Sequence, residues 1–207
     1  MDKLISIRDL SKSFGHKKVL NAINLDVYEK EILVVMGPSG CGKSTFLNII
    51  GKLDTSFSGE VHYNSKLFEG VRVPFPFVFQ ESESLLPWKS VYDNLKLVVE
   101  DSYDQDIEDV LNTVDLWEHQ DKRPAELSGG MKQRVGIARA LMCHSKMLFM
   151  DEPFSSLDSE LRMKMQNLVV NLKNEKGLSI IFVTHDLEEA NRIGDRIVQM
   201  ENGCIKC

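Results

Sequence analysis

The chain has 207 residues, which at roughly 150 residues per domain suits one large domain or one core carrying a lobe, and excludes a multidomain machine in a single polypeptide. Apolar residues make up 43% and charged residues 27%, enough to build a substantial core, so a wholly disordered chain is excluded. The formal net charge of −6 lacks the basic surplus that gripping a nucleic-acid backbone requires, and no nucleic acid is expected as a partner.

In chain order, residues 4–27 alternate apolar and polar positions around turn signals at Phe14-Gly15-His16 and Asn21, the pattern of short, partly exposed antiparallel strands. Ile32-Leu33-Val34-Val35-Met36 is continuously apolar and rich in β-branched residues, as a strand buried on both faces should be. Similar runs follow at 147–150 and 180–183. Between them lie helical patterns over 43–52, 105–114, 130–143 and 159–176; in the last, Leu161, Met165, Leu168, Val169 and Leu172 share one helical face. Buried strands alternating with helices predict an α/β fold with a parallel sheet, closing on a strand at 196–200. Residues 82–126 read as helices separated by polar and acidic turns without a buried strand, so a single domain over 1–207 is expected to carry an inserted helical lobe there.

No apolar run approaches the ~18 residues needed to span a bilayer, so the chain is not expected to transport anything alone. Its start, Met1-Asp2-Lys3-Leu4-Ile5-Ser6, lacks an extended apolar stretch, which predicts a cytoplasmic location. Cys41, Cys143, Cys204 and Cys207 are too few for a disulfide scaffold and are expected as reduced thiols. The Cys204-Ile205-Lys206-Cys207 pair has metal-like spacing but no further ligands, so it is read as a chance pair rather than a zinc site.

The first buried strand runs directly into Gly37-Pro38-Ser39-Gly40-Cys41-Gly42-Lys43-Ser44-Thr45, which matches G-x-x-x-x-G-K-[ST] in strand–loop–helix context. Glycines let the backbone curl so that successive N–H groups face an anion, and the helix from Lys43 adds its positive end. Lys43 can reach β- and γ-phosphates and the Ser44 hydroxyl can ligate Mg²⁺; the bland alternative is a glycine-rich turn with a solvated lysine. Met147-Leu148-Phe149-Met150-Asp151-Glu152 then places Asp151 at the carboxyl end of a buried strand, where open α/β sheets bind ligands. Asp151 can hold the Mg²⁺, and Glu152, projecting differently, can act as general base toward a water at the γ-phosphorus. Leu127-Ser128-Gly129-Gly130-Met131-Lys132-Gln133-Arg134 is a further helix start, with Ser128 as N-cap and two glycines leaving N–H groups bare, so it reads as a second phosphate grip.

With these motifs the chain resembles the ATP-binding cassette (ABC) ATPases over nearly its whole length. Phe14 stands where the adenine-stacking aromatic is found, 37–45 is the P-loop, and Gln80 of Val78-Phe79-Gln80 is the Q-loop glutamine. Ser128-Gly129-Gly130 is the signature, Asp151-Glu152 the Walker B end, Ser156-Leu157-Asp158 the D-loop, and His185 of Thr184-His185-Asp186 the switch histidine. Each residue keeps a plainer alternative: Phe14 as a half-exposed strand aromatic, Gln80 as a solvated strand end, Asp158 as a helix cap, His185 as a structural histidine. The resemblance implies ATP and Mg²⁺ as cofactors, with Gln80 joining Ser44 and Asp151 around the metal and acting with Glu152, His185 and Lys43 in hydrolysis.

It also implies a head-to-tail pair of cassettes, expected to be identical copies, trapping two ATP between the P-loop of one and Ser128 to Gly130 of the other. Membrane permease subunits and an extracytoplasmic substrate-binding protein complete the expected system, with this chain peripheral on the inner face of the membrane. Leu85-Leu86-Pro87-Trp88 is either the groove for a permease helix or lobe core. The motif text is similar to the nitrate, sulfonate and taurine importers, with a lipoprotein- or lipid-extrusion ATPase as the runner-up. The chain stops at Cys207 without a regulatory domain, so regulation by one is not expected. A chromosome-maintenance ATPase would place a long coiled coil between P-loop and signature, where only about 85 positions intervene. An ABC translation factor would carry two cassettes, and a small-molecule kinase has no use for Leu-Ser-Gly-Gly.

Overall fold

The computed structural model of the chain describes residues 2–71, 73–79, 85–98, 104–155 and 157–206, with the backbone alone at 104 and 105. It opens with two twelve-residue strands, β1 (Lys3–Phe14) and β2 (Lys17–Tyr28), joined by a turn in which Gly15 takes φ +57°. Then come β3 (Ile32–Met36), α1 (Lys43–Ile50), β4 (Ser58–Tyr63) and β5 (Phe77–Val78). Next are α2 (Val91–Lys96), α3 (Asp104–Thr113) and α4 (Gly129–Leu141), with 3₁₀ turns at Trp117–His119 and Pro124–Glu126. The remainder is β6 (Met147–Asp151), α5 (Ser159–Lys176), β7 (Ser179–Thr184), α6 (Leu187–Ile193), β8 (Arg196–Glu201) and β9 (Cys204–Lys206).

The first sheet has the order β2-β1-β4 and is antiparallel. Its strands are not short, and Asn21 is no turn: it lies inside β2. Register shifts interrupt the β1–β2 ladder, and Asp9 and Ala22 take φ of 50° and 47°. An extra unpaired residue breaks the period-two pattern without ending the strand, which makes a long bulged strand read as several short ones. The second sheet has the order β5-β6-β7-β3-β8-β9, parallel except for the β8–β9 pair. The Cys204 of the supposed metal-like pair is part of that last strand, and Cys207 lies outside the described residues.

Alternation along the central strands separates two cores. Ile32, Val34, Leu148, Met150, Ile180 and Phe182 pack toward α4, α5 and α6 on one face. Leu33, Val35, Phe149, Ile181 and Val183 pack toward α1 and the antiparallel sheet on the other. Both faces being covered explains the uniformly apolar text of β3, β6 and β7. The central sheet thus presents the carboxyl ends of β6, β7 and β3 side by side. Among the described residues no helix is long and apolar enough to cross a membrane.

On the antiparallel sheet Asp26 lies 2.7 Å from both the Lys3 ammonium and the Arg8 guanidinium, and the Arg8 contact above all holds its carboxyl at about 2. The folded value lies below the unfolded one, so this stabilisation is complete above pH about 4 and is lost as pH falls toward 2. Asp26→Asn is expected to lower the melting temperature by about 2–4 °C at pH 7. The gap to wild type should close between pH 4 and pH 2; a gap that persists at the acid end contradicts this account.

Candidate active site

The loop 37–42 crosses the carboxyl ends of β3 and β8 in close contact. A Cβ at Gly37 would fall 2.2 Å from the Met200 carbonyl oxygen, and Gly42 holds φ +113°, so side chains at either position would strain the turn. The loop delivers the first turn of α1, whose amides have no intrahelical acceptor, to the edge of an open cleft. Lys43 is almost wholly buried, at 5% exposure. Its Nζ donates to the carbonyls of Gly37 (2.8 Å) and Pro38 (3.1 Å) and lies 3.3 Å from Glu152 Oε1. Glu152 Oε2 is in turn 2.9 Å from His185 Nδ1. Ammonium, carboxylate and imidazole therefore form a row across the ends of three adjacent strands.

Glu152 reaches that row because its backbone leaves the strand at φ 46°, while its amide still donates to the Val183 carbonyl at 3.0 Å. The turn sends it and Asp151 in different directions. Asp151 accepts a hydrogen bond from Ser44; burial pushes its carboxyl above the usual range, and the Ser44 bond opposes that. A hydroxyl beside a carboxylate is the hard-oxygen donor set that suits Mg²⁺, which completes its shell with waters and phosphate oxygens, so Ser44 and Asp151 fit the metal.

The cleft has a volume of about 660 Å³ and is lined by Phe14, Lys17 and Val19 on one side, by Ser39, Gly40 and Gly42 to Thr45 on the floor, and by Glu152 and His185 opposite. Phe14 is 55% exposed, an aromatic face held toward solvent rather than into a core. Lys12 steadies it: its Nζ pairs with Asp54 at 2.7 Å, bonds the Ser56 carbonyl, and sits 4.9 Å from the Phe14 ring centre. Lys17 and Val19 escape a motif search, yet the hairpin at Gly15 pairs Lys17 directly with Phe14. That turn was the available signal.

Ser128, Gly129 and Gly130 do not line this cleft. The Ser128 hydroxyl caps α4 by accepting from the Met131 amide at 3.3 Å. Gly130 is packed so tightly that a Cβ would fall 2.0 Å from Leu161 Cδ2 and 3.5 Å from Leu157 Cδ2, whereas Gly129 is exposed with nothing within 4 Å of a Cβ. Packing among the described residues thus explains the second glycine and not the first. Asp158 caps α5 through the Leu161 amide at 2.9 Å. The structure therefore sorts the expected site residues into two groups, one around the cleft and one around the start of α4 and α5. Cys41 is a buried filler behind the loop, Pro38 supplies a carbonyl to Lys43, and Gln80 and Ser156 lie outside the described residues.

The ABC transporter family matches residues 20–155. An aliphatic sulfonates import ATP-binding protein of Pectobacterium atrosepticum is 37% identical over 96% of this chain and 74% of its own length. Its counterpart from Pseudomonas fluorescens strain Pf0-1 is 38% identical over 96% and 74%. A dimeric ATP-binding cassette solved after hydrolysis, bound to ADP and Pi, superposes with a TM-score of 0.85 at 30% identity, covering 99% of this chain and 97% of that one. The cbiO1 protein of Clostridium perfringens, part of an ABC transporter complex, gives 0.87 at 25% identity over 100% and 88%.

Replacing Lys43 by Met removes the ammonium buried in the cleft while keeping its apolar stem. Affinity for a fluorescent ATP analogue is expected to fall at least about 100-fold, the scale of a charge-assisted, desolvated phosphate contact. Unchanged affinity in a folded variant would remove Lys43 from the binding site.

Proposed function

The chain belongs to the ABC transporter family, and on that premise we propose that it is the ATP-binding, ATP-hydrolysing subunit of a small-molecule importer. Aliphatic sulfonates, the cargo named for its relatives, are the first substrate class to test. The observation that carries the reading is the Lys43–Glu152–His185 row beside the P-loop.

Phe14 stacks on the adenine, and the P-loop amides with Lys43 hold the β- and γ-phosphates. Glu152 is engaged by Lys43 and His185; a triphosphate competes for both partners and frees the carboxylate. Glu152 then takes a proton from water as its oxygen attacks the γ-phosphorus, the bond to the β-phosphate oxygen breaks, and ADP and phosphate leave. His185 donates to the γ-phosphate. Ser44 and Asp151, with Gln80 as the third implied contact, would hold Mg²⁺, which would supply neutralisation of the phosphate charge.

Ser128 to Gly130 act on the nucleotide of a second, identical chain. Gly129, bare and exposed, suits close approach by a phosphate carried on that partner. Closure of the two chains completes each site and hydrolysis reopens it, so chemistry is tied to motion. Permease subunits, with a substrate-binding protein outside the membrane, receive that motion at the inner face. Residues 82–126 act as the lobe that meets them. Within it Leu85 is buried, while Trp88 at 67% exposure is available to a permease helix.

Glu152→Gln tests the reading. It keeps the shape and one hydrogen-bond acceptor while removing the base, so ATP should still bind, turnover should fall at least about 100-fold, and a long-lived ATP-dependent dimer should appear on size exclusion. Normal turnover would dismiss Glu152 as the base.

A further inference from the structure

One side chain joins the two groups of site residues. Arg162 lies in the first turn of α5, and its Nη2 donates to the Leu157 carbonyl at 2.9 Å while its Nη1 lies 3.7 Å from Asp186 Oδ2. Leu157 precedes Asp158 and packs under Gly130, so the first contact addresses the loop beside the signature. Asp186 follows His185, and its surroundings are rigid. Its Oδ1 accepts from the amides of Glu188 (2.8 Å) and Glu189 (3.1 Å) as the N-cap of α6, and its own amide donates to Thr184 Oγ1 at 3.0 Å. The second contact therefore addresses a fixed turn that carries the histidine.

Further along the same helices Gln166 Nε2 donates to Glu189 Oε1 at 3.3 Å and Arg192 Nη2 to Asn167 Oδ1 at 3.2 Å. This polar seam keeps α5 and α6 in register, and Arg162 extends it from the helices to the two loops. A part-exposed ion pair adds little to stability. A guanidinium fork, by contrast, can hydrogen-bond one acceptor, here the Leu157 carbonyl, while facing a carboxylate at ion-pair distance, here Asp186, in a planar geometry that a lysine ammonium does not reproduce.

We propose that Arg162 is a positioning residue for hydrolysis: it ties the loop at Leu157–Asp158 to the turn at His185–Asp186, so that the group serving one nucleotide and the group serving the other hold a fixed relation within the chain. The proposal rests on the ATPase reading above. Without the tie the loop at Leu157–Asp158 and the turn carrying His185 lose their fixed relation to each other, whereas Lys43, the P-loop and Phe14 are untouched. The loss should appear in kcat and not in nucleotide affinity.

The test uses the full chain and four variants, Arg162→Met, Arg162→Lys, Asp186→Asn and the double Arg162→Met/Asp186→Asn, with kcat, KM, affinity for a fluorescent ATP analogue and melting temperature measured for each. Asparagine keeps the α6 cap and removes only the charge. Arg162→Met should lower kcat about tenfold with KM and affinity within about twofold, and Arg162→Lys should fall between it and wild type. The double variant should be no slower than Arg162→Met, since both changes remove one shared contact. If the methionine variant fails to fold, Arg162→Lys against Asp186→Asn carries the same comparison. A kcat within about twofold of wild type in folded Arg162 variants, losses that multiply in the double variant, or an effect confined to KM would each overturn the proposal. An active wild type indifferent to Arg162 overturns the proposal alone; a wild type that hydrolyses no ATP overturns the ATPase reading and the proposal with it.

Discussion

A buried ammonium has to be surrounded by acceptors, because an unpaired charge withdrawn from water costs several kcal/mol. Lys43 meets that demand with two carbonyls of its own loop and the Glu152 carboxylate. Those acceptors come from the ends of two strands, and His185, at the end of a third, holds the other carboxylate oxygen. The arrangement requires β6, β7 and β3 to end side by side, which the parallel register supplies by pairing Asp151 with Val183 and Met36 with Thr184. It also requires a loop flat enough to bring the Gly37 carbonyl back to its own lysine, and the Met200 oxygen pressed against Gly37 enforces that flatness. Sheet order, loop glycines and the row of charges are thus one constraint seen at three scales.

The same constraint divides labour within the chain. The cleft side has Lys43, Glu152 and His185 already engaged with one another and its aromatic wall, Phe14, braced by Lys12. The start of α4 has the reverse character: a capped helix end with an exposed glycine that no packing among the described residues requires. Ser128 to Gly130 do not line the cleft, and that separation is the physical content of reading the chain as one member of a pair.

Much of this was legible in the amino-acid text because the chemistry is local. A P-loop is a contiguous strand, loop and helix, and Asp151-Glu152 lies at the end of a run whose uniform apolarity signals burial on both faces. Ser159–Lys176 was readable to the residue, since Asp158 caps it and Gly177 ends it at φ 66°. What stayed hidden depended on pairing or on a broken period. The bulges at Asp9 and Ala22 disguised two long strands as several short ones. β4 carries mostly exposed or half-buried residues, and β5 has only two residues, so neither shows a strand's signature. Lys17 and Val19 joined the site through hairpin register, and Arg162 through a contact between loops separated by more than twenty residues. No pattern in one segment records such contacts.

The central claim, that one chain holds only part of each catalytic site, is most directly tested by the specific rate of ATP hydrolysis as a function of chain concentration, from nanomolar to micromolar. Two chains meeting around the nucleotide predict a specific rate that climbs with concentration and levels off as pairs fill. A specific rate that is constant across the whole range would place a complete site within a single chain and contradict the account.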